Sequence, residues 1–373
     1  MILQTPNQRL LSLDILRGFD LFVLVFFQPV FVSLIQTLDL PFTDTLLYHF
    51  HHEDWVGFRA WDLVMPLFLF MSGVSMPFAF SKYKQVSDKS AVYRRIGKRV
   101  VLLFLLGAVV QGNLLAFDLH QLRLYSNTLQ AIAIGYLIAS LIFLNFSFKG
   151  QLIAGVVLLL LYWLPMTFLG DFTPEGNFAE KVDRLVLGRF RDGVSWNSDG
   201  HWSFSPHYQY AWIVSSLTFG VTVLMGTIAG GIIKSGSQNR NRTSLILFLS
   251  GVGCILVSLL WSLQMPIIKK VWTCSMTLYS GGWCLLLMAL FYYVVDCRGH
   301  STGLKWLKIY GMNAITAYVL GQVINFRSIV ESVSFGLEQF MGIYYKTWIT
   351  FGNYSILFFI LYILYKRNIF LRI

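Results

Sequence analysis

Apolar stretches of about 20 residues recur along this chain, and an α-helix needs that length to cross the hydrocarbon core of a bilayer. Ten of them can be marked, at residues 18–38, 61–80, 98–117, 127–145, 150–169, 210–233, 243–264, 272–296, 305–325 and 345–365. Of the 373 residues, 56% are hydrophobic and 13% are charged, whereas soluble domains carry about 25% charged residues. The pattern predicts an all-α fold, a polytopic integral membrane helical bundle of about ten transmembrane helices that forms a single transmembrane domain over residues 1–373.

The distribution of charge predicts the orientation of the bundle. With both termini in the cytoplasm, 19 of the 29 Lys and Arg residues lie on the cytoplasmic face, as the positive-inside rule requires. The net charge of +11 is therefore interpreted as an orientation signal, and no nucleic acid is expected as a partner. The N-terminal residues lack a basic segment followed by an apolar core, so no cleavable signal peptide is expected. The spacing of the four cysteines predicts neither a disulfide nor a metal site.

The stretch from His51 to Pro66 carries most of the candidate chemistry. It places two histidines, several charged groups and two tryptophans directly before the apolar residues of the second predicted span. An ionisable group such as Asp62 costs roughly 2.5 to 3.5 kcal/mol inside a membrane span, which makes it a functional candidate. A neutral His52 imidazole can act as a general base or as an acyl-accepting nucleophile, with Asp62 orienting it. The residues alone equally allow a structural, hydrogen-bonded His52 and an Asp62 that caps a helix or forms an ion pair.

Two other regions carry polar and aromatic side chains in unusual density. The longest loop, at about residues 170–209, is expected opposite the cytoplasm and mixes side chains typical of sugar sites or of an interfacial aromatic belt. These side chains are Trp196, His201, Trp202, His207 and Tyr208. The cytoplasmic run from Tyr93 to Arg99 is strongly basic, and it can hold the phosphates of a nucleotide cofactor or anchor a helix to anionic lipid.

Isolated polar residues also occur within the predicted spans. Amide side chains such as Gln28 and Asn313 are costly against lipid, so they should face the bundle interior, as links between helices or as part of a wet cavity. Asp14 and Arg17 are three residues apart, which makes them neighbours on a helix and predicts a salt bridge at the cytoplasmic rim.

A series of short motifs resembles the heparan-alpha-glucosaminide N-acetyltransferase family of transmembrane acyltransferases. The motifs are Leu13 to Gly18 (LDILRG), His52 to Gly57 (HEDWVG), Asp62 to Gly73 (DLVMPLFLFMSG), Leu129 to Ala133, Asp183 to Gly188, Lys270 to Ser275, Asp296, and Gly311 to Ala314. They follow the order of the family over nearly the whole chain. A bacterial member in the inner membrane is the expectation.

The resemblance implies transfer of an acetyl group from acetyl-CoA to the amine of glucosamine or of a terminal glucosamine residue. It assigns His52 as the nucleophile or general base and Asp62 as the acid that follows it. We extend it to further contacts: Arg17, Arg94, Arg95 and Arg99 for acetyl-CoA, and Gln28, Trp55 and Asn313 for the acceptor. The expected partners are acetyl-CoA, the amino sugar and the lipid bilayer, with a homodimer as the oligomer that the family suggests.

The chain departs from the family pattern at three points, which bear on the acceptor more than on acyl transfer. Ser205 to Gln209 (SPHYQ) stands where many members have Asp-Pro-Glu-Gly, Ala131 replaces an arginine, and Gln28 replaces an asparagine. Two other functions also fit the residues. One is a sugar or glycolipid transporter or flippase with His52 and Asp62 as a proton relay, although no inverted repeat is visible. The other is acylation of oxygen.

Overall fold

The computed structural model describes residues 10–112, 118, 120–205, 210–236 and 238–371. Regular structure within these ranges is almost entirely helical. Eight helical segments in the described part of the chain are long and apolar enough to cross a membrane. The prediction of an all-α, polytopic integral membrane protein is therefore confirmed.

Seventeen α-helices follow one another along the described part of the chain. They are α1 (Leu11–Phe22), α2 (Gln28–Leu38), α3 (Thr43–Leu47), α4 (Val64–Val74), α5 (Met76–Phe80), α6 (Ser90–Gln111), α7 (Thr128–Asn145), α8 (Phe148–Phe168), α9 (Phe178–Leu187), α10 (Ser215–Ser235), α11 (Arg240–Ser262), α12 (Cys274–Phe291), α13 (Lys305–Met312), α14 (Ala314–Val323), α15 (Arg327–Ser334), α16 (Glu338–Met341) and α17 (Tyr345–Lys366). The π-helical turns Val23–Phe27 and Tyr292–Cys297 continue α1 and α12. Strand β1 (Val194–Trp196) pairs with β2 (Trp202–Phe204) in an antiparallel hairpin.

Two of the ten predicted spans are not among these eight segments of the described residues. The predicted span at 98–117 corresponds to α6, which begins earlier, at Ser90, and carries the four basic residues from Arg94 to Arg99 in its N-terminal half. Residues 113–117 lie outside the described residues. The predicted span at 305–325 is divided at Asn313 into two shorter helices, α13 and α14. Mean hydropathy over a window does not register such a local break.

The described residues form two compact units. The first unit contains the described residues up to Phe50, Gly236–Phe248 and the described residues from Leu286 onward. The second contains His51–Ser235 and Leu249–Leu285. The division of the chain falls inside α11 and α12, and the single domain over residues 1–373 stays a prediction.

In the first unit, α1 packs closely on α13 where each helix carries a glycine. A Cβ atom built on Gly18 would lie 1.8 Å from the Leu307 carbonyl oxygen, and one built on Gly311 would lie 1.8 Å from the Asp14 carbonyl oxygen. Glycine at these positions allows the two backbones to approach, as small residues commonly do between membrane helices. The Phe22 ring of α1 extends the contact by packing edge-on against a ring of α13, that of Trp306.

In the second unit, α10 is the central helix and packs against α4, α7 and α8. Its contact with α4 again depends on glycine, because a Cβ atom on Gly73 would lie 1.9 Å from the Val223 carbonyl oxygen. On the other side, Gly135 of α7 packs against Phe219. This packing fixes α4, whose N-terminal end carries the polar residues of the candidate site.

Replacing Gly226 by alanine should destabilise the second unit. The new Cβ atom would lie 1.9 Å from the Phe70 carbonyl oxygen, so α10 and α4 would have to separate. Overpacking of this kind lowers the free energy of unfolding by about 1–3 kcal/mol. The midpoint of thermal unfolding in detergent measures the effect. Gly231→Ala is the matched control on the same helix, because its Cβ atom would meet nothing within 4 Å. Equal midpoints for the two variants would contradict the close packing.

Candidate functional site

The histidine-bearing loop, residues 51–59, is tied to the segment that follows α11. Val56 pairs with Ile268 in an antiparallel bridge, and the Gly57 N–H donates to the Ile267 carbonyl oxygen over 2.9 Å. Gly57 has a φ of +133°, which side chains rarely adopt, so this turn requires glycine. The pairing places two segments that are distant in the sequence side by side.

An ion pair within the loop holds its two ends together. Arg59 Nε donates to Glu53 Oε2 over 2.9 Å, and Arg59 Nη2 donates to Glu53 Oε1 over 3.1 Å. The hydrogen bond from Arg59 lowers the pKa of Glu53, so this carboxylate stays charged at neutral pH. Two parallel hydrogen bonds of this type fix orientation as well as distance. The loop is therefore held from within as well as by its neighbour.

Asp62 is the buried centre of the site, with a side chain that has 0% exposure. It lies in the 3-10 turn Ala60–Leu63 that leads into α4. Its Oδ2 atom accepts the backbone N–H groups of Arg59 (2.9 Å) and Glu53 (3.2 Å). A carboxylate at the start of a helix is also favoured by the helix dipole. Asp62 is thus a helix cap, one of the roles that the sequence allowed, and its Oδ1 atom is available for a second partner.

That partner is His52, whose Nδ1 atom lies 2.7 Å from Asp62 Oδ1. The sequence left this contact open, and the structure makes it. The His52 side chain is 45% exposed, and no described residue forms a hydrogen bond with its Nε2 atom. Because the carboxylate accepts a proton from Nδ1, the tautomer assigned to neutral His52 carries its lone pair on the exposed Nε2 atom. This is the arrangement that a general base or a nucleophilic imidazole needs.

Lys269 completes the cluster, and the sequence did not predict it. Its Nζ atom lies 3.0 Å from His52 Nδ1 and 3.3 Å from Asp62 Oδ1, and its side chain is 5% exposed. Burial lowers the pKa of Lys269 to about 8, against the attraction of Asp62. The one signal in the sequence was its position, directly before the motif that begins at Lys270. A lysine in a short connection between apolar spans gives no indication of its partners.

The charges of the cluster act on the His52 imidazole in opposite directions. Burial lowers the pKa of His52, the hydrogen bond to Asp62 raises it, and the Lys269 ammonium group lowers it. The lowering effects prevail. His52 is therefore neutral at neutral pH, with its nucleophilic lone pair available.

The end of the long loop before α10 is hydrogen-bonded to the segment that carries Lys269. The Ala211 N–H donates to the Lys270 carbonyl oxygen over 2.9 Å. Asp183 of α9 accepts the backbone N–H groups of Trp212 (2.7 Å) and Ile213 (2.9 Å). Burial raises the pKa of Asp183 to about 7 in spite of these two donors. The family-like motif that starts at Asp183 therefore has a structural task, which is to fix the chain that runs beside the lysine segment.

Aromatic residues of this long loop were predicted to bind sugar or to form an interfacial belt, and both interpretations stay predictions. Trp196 and Trp202 face each other across the β1–β2 hairpin, and the Trp196 ring lies 4.1 Å from the ring of His120. His207 and Tyr208, together with most of the run Ser205 to Gln209, lie outside the described residues.

The three residues predicted to bind the acceptor are divided between the two units. Trp55 lies in the second unit, where its Nε1–H donates to the Phe172 carbonyl oxygen over 2.7 Å. Gln28 and Asn313 lie in the first unit. The Gln28 amide donates to the Phe50 carbonyl oxygen over 3.2 Å. Asn313 is 1% exposed at the break between α13 and α14, and its side-chain atoms have no hydrogen-bond partner among the described residues. Acceptor binding by these three stays a prediction.

Two of the four arginines predicted to bind acetyl-CoA, Arg95 and Arg99, lie near the end of α5. Arg95 lies over the Phe80 ring at 5.9 Å, and Arg99 lies over the Tyr136 ring at 4.2 Å. Phe80 ends α5, and at 1.5 Å per residue it is about 27 Å along the α4–α5 path from Asp62. A further predicted contact, Arg17, lies in the first unit 3.7 Å from Asp14, the expected pairing. Arg94 is exposed on α6. Donor binding by these four arginines stays a prediction.

Within the described ranges, no group of three or more His, Cys, Asp or Glu side chains has the geometry of a metal site. The cluster consists of the His52 imidazole, the Asp62 carboxylate and the Lys269 amine.

Comparison with known proteins adds an independent line of argument. The family described as heparan-alpha-glucosaminide N-acetyltransferase, catalytic, matches residues 9–175, which include both His52 and Asp62. Human heparan-alpha-glucosaminide N-acetyltransferase is 23% identical over 364 residues, covering 83% of this chain and 52% of the human protein. The mouse protein of the same name is 22% identical over 376 residues, covering 86% of this chain and 54% of its own length. The chain spans about half the length of these curated relatives. Residues 9–175 thus match the catalytic region of the heparan-alpha-glucosaminide N-acetyltransferase family, and the similarity to the two N-acetyltransferases supports the same family resemblance.

Proposed function

We propose that this chain is a membrane acetyltransferase that moves an acetyl group from acetyl-CoA to the amine of glucosamine or of a terminal glucosamine residue. The observation that carries the proposal is the 2.7 Å contact between His52 Nδ1 and the buried Asp62 carboxylate, which leaves Nε2 exposed. Both residues fall inside the family match, and the two relatives are named N-acetyltransferases.

Two routes use this geometry. In the first, His52 Nε2 attacks the thioester carbonyl, the carbon–sulfur bond breaks, and CoA leaves as the thiolate. The acceptor amine then attacks the acetyl carbon, the bond to Nε2 breaks, and the amine proton passes to the released imidazole. In the second, the amine attacks the thioester directly while Nε2 takes its proton. Either route yields one CoA and one acetylated amine, and in both Asp62 holds the Nδ1–H and stabilises the cationic form of the ring.

The arrangement of the chain in the membrane is part of the same proposal. With both termini in the cytoplasm, as the positive-inside distribution favours, the His52 loop faces the opposite side. The predicted arginines near Arg95 are then at the cytoplasmic end of the α4–α5 path. Donor and acceptor would accordingly meet at a site near the face of the membrane that is remote from cytoplasmic acetyl-CoA.

Free CoA released by the purified, detergent-solubilised protein tests the proposed reaction. With acetyl-CoA and glucosamine, we expect thiol release together with a product whose mass increases by one acetyl group on nitrogen. Omitting either substrate is the control. A product acetylated on a hydroxyl group would show that the acceptor atom is oxygen and not the proposed amine nitrogen. Sugar uptake into proteoliposomes without consumption of acetyl-CoA would show that the protein is a transporter and not an acetyltransferase.

A further inference from the structure

Lys269 is buried in the site, yet neither route of the proposed reaction assigns it a task. Its position is unusual for a lysine, because the side chain is 5% exposed and contacts both other members of the cluster. Buried lysines are rare unless they are paired. Asp62 is that partner, but the carboxylate already has His52 and two backbone N–H groups as donors. Lys269 is therefore not needed merely to satisfy Asp62.

The placement of protons within the cluster shows what Lys269 can do. In the neutral ring, His52 Nδ1 carries either a hydrogen or a lone pair, so it either donates to Asp62 or accepts a hydrogen from Lys269. If Lys269 donated it, the Nδ1 lone pair would face the Asp62 oxygen at 2.7 Å, an arrangement that repels. The Nδ1–H therefore points to Asp62, and the Lys269 ammonium group directs a proton to the same carboxylate at 3.3 Å. This leaves a positive charge 3.0 Å from a ring nitrogen that already carries hydrogen.

We propose that Lys269 is a positioning residue of this site, whose ammonium group, held by Asp62, keeps the His52 imidazole neutral with its lone pair on Nε2. A cation at this distance disfavours the imidazolium ion by electrostatic repulsion. The Lys269 cation therefore allows Nε2 to act at lower pH than it otherwise could. The importance of this for acetyl transfer rests on the proposed function, whereas the effect on the imidazole does not.

The other charged groups near His52 do not replace Lys269. Glu53 and Arg59 of the same loop pair with each other. Lys270 lowers the pKa of His52 less than Lys269 does. Tyr210, on the chain that pairs with Lys270, is partly buried. Loss of solvent and the charge of Asp62 raise its pKa, so it is neutral at neutral pH. Lys269 and Asp62 are thus the two opposing charges that decide the state of the ring.

Titration of the His52 ring by NMR tests the proposal without any assay of activity. The protein has seven histidines, so the His52 signal is assigned by its loss in His52→Gln. In Lys269→Met we expect the His52 pKa to rise by about one unit or more, because a neighbouring cation has been removed. Lys269→Arg restores a cation and should return the pKa toward that of the wild type. Lys270→Met is the matched control, with a smaller shift expected. An unchanged or lower His52 pKa in Lys269→Met would overturn the proposal.

The pH dependence of kcat/KM for acetyl transfer provides the second readout. The acid limb should move to higher pH in Lys269→Met and return in Lys269→Arg, which a purely structural role of Lys269 would not produce. If the protein releases no CoA with any amino sugar, the proposed function fails while the NMR titration still decides the role of Lys269. If CoA release is normal and the His52 pKa does not respond to Lys269→Met, only the role of Lys269 fails. The thermal unfolding midpoint of each variant identifies any that does not fold.

Discussion

His52→Ala is expected to reduce CoA release by about 10³-fold or more, since it removes the group that acts as nucleophile or general base in either route. The fold should persist, because the His52 side chain is 45% exposed and Asp62 keeps Lys269 and two backbone N–H groups as partners. Thiol release under saturating acetyl-CoA and glucosamine measures the rate. The unfolding midpoint should stay close to that of the wild type.

His51→Ala is the matched control, because His51 is the adjacent, exposed histidine. It should retain most of the wild-type rate. If His52→Ala kept that rate and His51→Ala lost it, the histidine assigned to the reaction would be the wrong one of the pair. Incubation of the wild type with radioactive acetyl-CoA and no acceptor then separates the two routes, since label retained on His52 requires the acetyl-imidazole.

The fold was largely predictable because the bilayer sets one dominant length for apolar helices. The differences arise where a window of average hydropathy cannot follow the backbone. A single Asn313 in an apolar run lowers the mean hydropathy of the window only slightly, yet it separates α13 from α14. At α6, the helix begins at Ser90 and includes Arg94 and Arg95, which lie before the predicted start of the span at residue 98.

The site was predictable only in part, for a reason of a different kind. His52 and Asp62 stood out because polar residues are costly beside an apolar span, but their ten-residue separation includes a glycine turn and a 3-10 turn, so the contact did not follow from spacing. Lys269 is 217 positions from His52. It joins the site through the bridge between Val56 and Ile268, a tertiary pairing that periodicity does not encode. The arginines near Arg95 illustrate the converse, since a basic cluster in the sequence does not show whether it contacts a ligand or packs on aromatic rings, as Arg95 does on Phe80.

Asp62→Asn should be almost as damaging as the loss of the histidine, although it changes one atom. The amide oxygen can still accept the N–H groups of Arg59 and Glu53, so the turn before α4 is preserved. The amide nitrogen then faces His52 Nδ1 and donates to it, which forces the ring proton onto Nε2. Nε2 loses its lone pair, and a wrong tautomer of this kind lowers kcat by about 10³- to 10⁴-fold. CoA release measures the loss.

Asp54→Asn is the control for the same chemical change at an exposed position of the same loop, and a normal rate is expected there. The pH dependence distinguishes loss of Asp62 from simple misfolding. Removing the carboxylate removes a group that raises the His52 pKa, so the residual activity of Asp62→Asn should show an acid limb displaced to lower pH. Lys269→Met removes a group that lowers that pKa, so its acid limb moves to higher pH. Damage to the fold has no reason to shift the two profiles in opposite directions, whereas two opposing charges on one imidazole require it. Shifts of the same sign would show that Asp62 and Lys269 do not act through His52.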